Sequence, residues 1–171
     1  MAENKTNLTE NLWLILLAPI VLLIAFLGLV FVAVSFPFVK TYEQWLMYRF
    51  WQRHGQFGRF ILFVYSDSPN WKNYIEENIL PRIGPYAITL NWSKRREWRE
   101  TNPFEARVFY HWAGKRQFNP MAILLSSEGK MKEIRFWQAF KDFKHGKDKL
   151  LKEAEESLFN EVKNSEAQPV R

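Results

Sequence analysis

The sequence predicts an α/β protein in two parts, a single N-terminal transmembrane helix followed by one α/β domain. Three observations carry this. Leu12 to Val39 holds no charged residue and is bounded by Glu10 and Lys40. Two short apolar runs, Arg59–Tyr65 and Tyr86–Trp92, enclose a stretch of helical spacing. Near the end, a hairpin pattern is followed by an amphipathic run over Lys147–Lys163.

A spanning helix needs roughly 20 mostly apolar residues, so Leu12–Val39 is long enough. In lipid each backbone group must be paired within the segment, which makes a lone spanning segment a helix. Residues 1–11 form a short polar tail and 12–39 the transmembrane helix. A cleaved signal peptide is the competing reading, and Ala33-Val34-Ser35 resembles a small-residue cleavage site. Against it, the apolar run is longer than the usual 7–15 residues and the tail carries no positive excess. Pro19 is expected to kink the helix. Pro37 is expected to end it, since the residue before a proline is pushed out of the helical region.

Residues 40–57 read as an aromatic and basic collar. Tyr42, Trp45 and Trp51 are the amphipathic aromatics that favour headgroup level. Arg49 and Arg53 can snorkel to phosphate. A helix lying at the interface over Tyr42–Arg53 is expected; packing of these aromatics on the soluble domain is the alternative. Gly55 and Gly58 are expected to mark the domain boundary. Lys40, Arg49, Arg53 and Arg59 on the C-terminal side outweigh Lys5 on the other. That excess predicts the tail outside and the domain in the cytoplasm.

The domain, residues 58–163, opens with RFILFVY, a buried strand of apolar, aromatic and β-branched residues. Asp67 or Ser68 is the expected N-cap and Pro69 the first helical residue. Trp71, Tyr74, Ile75, Asn78 and Ile79 give a stripe at helical spacing, with Pro81 limiting the helix and Gly84-Pro85 closing the unit. YAITLNW is a second strand. Strand, helix and strand with short joints argue a βαβ unit with a parallel pair. Ser93–Glu100 is charged, and Asn102-Pro103 opens a helix that Gly114 caps. Met121–Ser126 and Met131–Trp137 flank the turn Ser127-Glu128-Gly129-Lys130, in which Gly129 can take positive φ. Leu150, Leu151, Ala154, Leu158, Phe159 and Val162 are the buried stripe of the last helix. Residues 164–171 are expected to be a disordered tail.

The chain has 171 residues, a formal net charge of +6 and 17% aromatics. Basic charge beside a spanning helix is explained by anionic lipid, so the bilayer is the expected partner and nucleic acid the weaker one. Cysteine is absent, which excludes disulfides, thiolate chemistry and cysteine-held metal. His54, His111 and His145 stand far apart without a ligand neighbour at i+3 or i+4, so no metal or cofactor is expected. No phosphate loop or nucleophile elbow is present.

The order strand, helix, strand, helix, hairpin, helix, with a proline at the entry to the hairpin, resembles the thioredoxin-like fold. Asn119-Pro120-Met121 matches the place of that family's cis-proline, and the resemblance covers roughly Arg59 to Val162. It implies a groove in which Asn119 and Pro120 approach Asp67, Ser68 and Asn70. Where the family carries Cys-X-X-Cys, this chain has Asp67-Ser68-Pro69-Asn70, so dithiol exchange does not carry over. The expected function is a non-redox thioredoxin-like domain serving as a protein-binding or assembly module, its protein partner unidentified. The alternative is a thiol-independent enzyme acting on a small anionic or glutathione-like ligand. Lys94, Arg95, Arg96 and Arg99, interleaved with Trp92 and Trp98, form a basic patch suited to a solvated loop, a lipid or protein contact, or nucleic acid.

Overall fold

A computed structural model of the chain describes residues 6–167, with side chains over 17–165. It divides into two compact units at Gln44/Trp45.

Helix α1 runs over Thr6–His54 and passes from the first unit into the second. From Leu17 to Val39 its side chains are exposed all round, with Ser35 half-buried. It is long and apolar enough to cross a membrane. At about 1.5 Å per residue, Leu12–Val39 reaches roughly 40 Å, against a hydrocarbon core of about 30 Å. The polar tail is itself helical from Thr6, while residues 1–5 lie outside the described residues.

Pro37 does not end α1, which keeps both Pro19 and Pro37 inside it. A proline removes one backbone bond, whereas ending the helix strands several more unpaired groups. Thr41 Oγ1 also donates to the Pro37 carbonyl at 2.8 Å. The collar is therefore the last part of α1 and not a separate segment.

The second unit is built on a four-stranded sheet of order β2-β1-β3-β4. Strand β1 is Ile61–Tyr65, β2 Ala87–Asn91, β3 Met121–Leu125 and β4 Met131–Arg135. β1 and β2 are parallel, with Ile61 opposite Ala87 and Tyr65 opposite Asn91. β3 runs antiparallel to β1, Val64 opposite Met121, and β4 antiparallel to β3, Met121 opposite Arg135. The hairpin turns at Gly129, whose φ of 75° suits glycine. Its outer strand carries Lys132, Glu133 and Arg135, charges that protect an exposed edge.

Successive side chains of β1 point to opposite faces, and each face builds its own core. Ile61 and Phe63 face a core with Ile75, Ile79, Phe136, Phe140, Leu151 and Leu158. Leu62 and Val64 face a second with Leu46, Met47, Phe50, Trp98, Phe104 and Phe109. Burying one such side chain fully is worth about 1.5–3 kcal/mol, so the two faces together hold the sheet between layers of helix.

The helical run 72–83, α2, joins β1 to β2. It starts as Lys72–Tyr74, widens to a π-turn over Ile75–Ile79 and returns to α over Leu80–Ile83. Pro81 was expected to limit this helix; instead the helix passes it. The widened turn ends two residues before Pro81, which cannot donate an i−4 bond. A 3₁₀ turn, Gly84–Tyr86, then closes the unit. Neither Asp67 nor Ser68 caps the helix by its side chain: the cap position is Trp71, and Pro69 and Asn70 lie in a turn before it.

Helices α3, Glu97–Thr101, and α4, Phe104–Trp112, follow β2. α3 falls in the stretch that reads as merely charged, yet Trp98 in it is buried. Gly114, at φ 73°, follows α4 as expected. After β4 comes α5, Trp137–Lys144; the expected strand Met131–Trp137 stops at Arg135, and Trp137 opens this helix. The last helix, α6, is Lys149–Ala167. It extends into the segment expected to be disordered, and residues 168–171 lie outside the described residues. In its stripe Leu151, Leu158, Phe159 and Val162 are buried and Ala154 is half-buried, but Leu150 at its head is exposed.

Candidate functional site

The joint after β1 gathers the residues of the expected groove. Ser66 Oγ accepts from the Trp71 indole at 3.2 Å. Asp67 is held from two directions: Lys72 Nζ lies 2.8 Å from its carboxylate and Asn91 Nδ2 donates to it at 3.1 Å. Its backbone N–H donates to Ser93 Oγ at 2.9 Å. The Lys72 hydrogen bond, then that from Asn91, keeps the Asp67 carboxyl below the ordinary carboxylate value. Lys72 is pushed up in return. Ser68 is half-buried, and its carbonyl accepts from the backbone of Trp71 and Lys72. Asn70 is exposed, and its backbone N–H leans on Ser68 Oγ at 3.4 Å.

The Asn119–Pro120 bond is cis. Both residues are buried, and Pro120 O accepts from Phe136 N at 2.9 Å, which ties the proline to the end of β4. Among the described residues Asn119 Oδ1 has no hydrogen-bond partner. Carrying the β1–β3 register two residues past Val64–Met121 brings Asn119 level with Ser66. Asp67 turns the other way, toward Asn91 and Ser93. The five residues therefore flank the end of β1 on both sides, and no hydrogen bond joins Asn119 Oδ1 to the loop.

Phe118, just before, stacks on Trp137 with centroids 4.3 Å apart and planes at 11°. Lys141 Nζ stands 4.4 Å from the Trp137 ring centre. These aromatics were missed as neighbours because the sequence places them on either side of the hairpin.

The collar residues divide. Tyr42, Trp45, Arg49 and Arg53 are exposed, while Trp51 is half-buried and its indole nitrogen has no partner among the described residues. Leu46, Met47 and Phe50, on the other side, enter the second core. Their spacing of i, i+1 and i+4 is the signal that was there to be read. Arg53 lies 4.8 Å from the Phe104 ring centre.

The basic patch also divides. Lys94, Arg95, Arg96 and Arg99 are all exposed. Arg95 and Arg99 line an open concavity of about 400 Å³ together with Trp92, Tyr110 and Gln117. Lys94 and Arg96 do not. The Arg95 guanidinium sits 5.2 Å from the Trp92 ring centre. Trp92 packs edge-on to Trp98, Phe109 and Tyr110 with centroids 5.8, 5.4 and 6.3 Å away, so the aromatic wall is fixed. Gln117 takes φ 48°, a left-handed backbone few residues of its kind adopt. Tyr110 and Gln117 join the patch only through the fold.

Among the described residues no group of three or more His, Asp or Glu side chains could hold a metal ion. No family model, characterised protein or solved structure matches the chain.

Proposed function

We propose that this chain is a single-pass membrane protein whose cytoplasmic, thioredoxin-like domain is a non-redox module for binding or assembling proteins. The sheet order carries the reading: β2-β1-β3-β4, with β1 and β2 parallel and a proline-led hairpin beside β1. Supporting the anchor is α1, apolar and exposed on all sides over Leu17–Val39. Lys40, Arg49, Arg53 and Arg59 support the domain-inside orientation. The absence of cysteine leaves the fold's groove without a dithiol, so its use is recognition. Asp67, Ser68 and Asn70 on one side of β1, with Asn119 and Pro120 on the other, form the proposed protein contact. Extended backbone next to such a groove suits a peptide added as a strand.

A second reading, a thiol-independent enzyme on a small anionic or glutathione-like ligand, is favoured by the concavity with its two arginines.

A photoreactive phenylalanine analogue placed at Asn70 in the full chain, in native membranes, tests the first reading. One dominant protein adduct is expected, and none from the same analogue at exposed Glu156 on α6. Equal adducts from both positions, or none from Asn70, would contradict it.

A further inference from the structure

We infer that the concavity lined by Trp92 and Arg95 of the turn after β2, Arg99 of α3, Tyr110 of α4 and Gln117 of the loop beyond it binds a phosphate ester through Arg95 and Arg99. It shares no residue with the groove around Asp67 and Asn119 and does not rest on the function proposed for that groove.

Among the described residues neither Arg95 nor Arg99 has a carboxylate partner. Arg95 makes only a long contact of 3.5 Å to the Trp92 carbonyl and a cation–π contact to its ring. Glu97 and Glu100 lie on α3 with Arg99, but neither lines the concavity. Arg95, in the turn after β2, and Arg99, on α3, both line the concavity, and a guanidinium without a carboxylate partner offers a fork of donors that phosphate oxygens fit bidentately.

The space fixes the size class. About 400 Å³ exceeds a bare inorganic anion and falls within the 300–1,000 Å³ usual for small-ligand sites. Tyr110 and Gln117 supply a hydroxyl and an amide for polyol or headgroup hydroxyls. The Trp92 ring supplies an apolar wall held by three neighbouring rings. The ligand class is thus a phosphate ester with a polar organic group, from a soluble metabolite or from an anionic lipid headgroup.

Calorimetric titration of the full chain in phosphatidylcholine nanodiscs tests this. The probes are glycerol 3-phosphate and dioctanoyl phosphatidylinositol 4-phosphate. Saturable one-to-one binding of at least one is expected. Binding of the soluble ester identifies a metabolite site; binding of the lipid alone identifies a headgroup site. Arg95→Gln with Arg99→Gln should weaken that binding at least tenfold. Lys141→Gln with Lys144→Gln removes the same charge from α5 and should leave it unchanged. All four side chains are exposed or partly so, and unchanged circular dichroism verifies the fold. No saturable binding, or equal loss in both double variants, would overturn the inference. So would tighter binding of a single-stranded oligouridylate than of either ester.

Discussion

His54 Nε2 lies 2.7 Å from Glu105 Oε1, joining the last residue of α1 to the first turn of α4. Both are largely buried, and Arg53 approaches the same carboxylate oxygen at 3.9 Å. The Phe50 ring packs on the imidazole with centroids 4.8 Å apart. The pair fixes the register in which Leu46, Met47 and Phe50 cover the second face of the sheet. A hydrogen bond to a charged group contributes about 1.5–3 kcal/mol. Glu105→Ala should therefore lower unfolding stability by about 2 kcal/mol. A double-mutant cycle with His54→Ala should show the two losses to be non-additive; full additivity would deny the contact.

Gly55 follows at once. A methyl group there would run into the Trp51 ring. Gly55→Ala is expected to cost about 1–3 kcal/mol through this overlap, despite the entropy that alanine would otherwise save. Denaturant titration in detergent micelles gives the number. A neutral or stabilised variant would mean that Trp51 does not sit against this backbone.

How much of this was legible follows from the kind of signal each residue gives. β1, β2 and the hairpin could be read because apolar runs and Gly or Pro punctuation are local. Leu46, Met47 and Phe50 lie on one stripe at i, i+1 and i+4, but Trp45, Tyr48 and Trp51 around them suit a lipid interface and mask that stripe. Trp98 was hidden among charges. Asp67 reads as a helix cap from its neighbours, but its partners Asn91 and Lys72 come from the end of β2 and from within α2. Long-range pairing of that kind leaves no spacing to count. Pro37 reads as a helix end because its steric bias is local, whereas the backbone pairing of the whole apolar helix outweighs it.

Phe63 and Phe136 meet edge-on with centroids 5.8 Å apart in the core beneath α2, α5 and α6, and both are fully buried. Phe63→Ala should destabilise the domain by about 3–5 kcal/mol, the range for emptying an aromatic site. Phe57→Ala, at an exposed ring, should change stability by less than about 0.5 kcal/mol. Thermal unfolding of the two variants side by side measures the contrast.

Tyr74 sets an alkaline limit. Burial, then the neighbouring Glu155 carboxylate, pushes its phenol up to about 12. The native state therefore holds this proton more tightly than the unfolded chain, whose phenol titrates near 10. The resulting stability is complete below about pH 10 and is lost as pH rises through about 12. Absorbance at the phenolate band should show a tyrosine ionising near pH 12, and Tyr74→Phe should remove that step. Stability of the variant should fall less steeply than wild type between those pH values.

Asp67 works in the opposite direction. Its folded carboxyl is depressed by Lys72 and Asn91, so its contribution is present above the unfolded value of about 3.9 and disappears as pH falls through the lower folded value. Asp67→Asn should be less stable than wild type at neutral pH and converge with it in acid. A constant difference across that range, measured by denaturant midpoints, would show that the carboxylate charge is not the cause.

The anchor and its orientation are tested most directly by cysteine labelling, which a cysteine-free chain makes clean. Ser127→Cys places one thiol in the exposed hairpin turn. A membrane-impermeant maleimide applied to intact cells should leave it unlabelled, and permeabilised cells should label it fully, with the chain remaining in the membrane fraction after alkaline carbonate extraction. Labelling in intact cells would place the domain outside, and release by carbonate would mean that α1 does not span the bilayer.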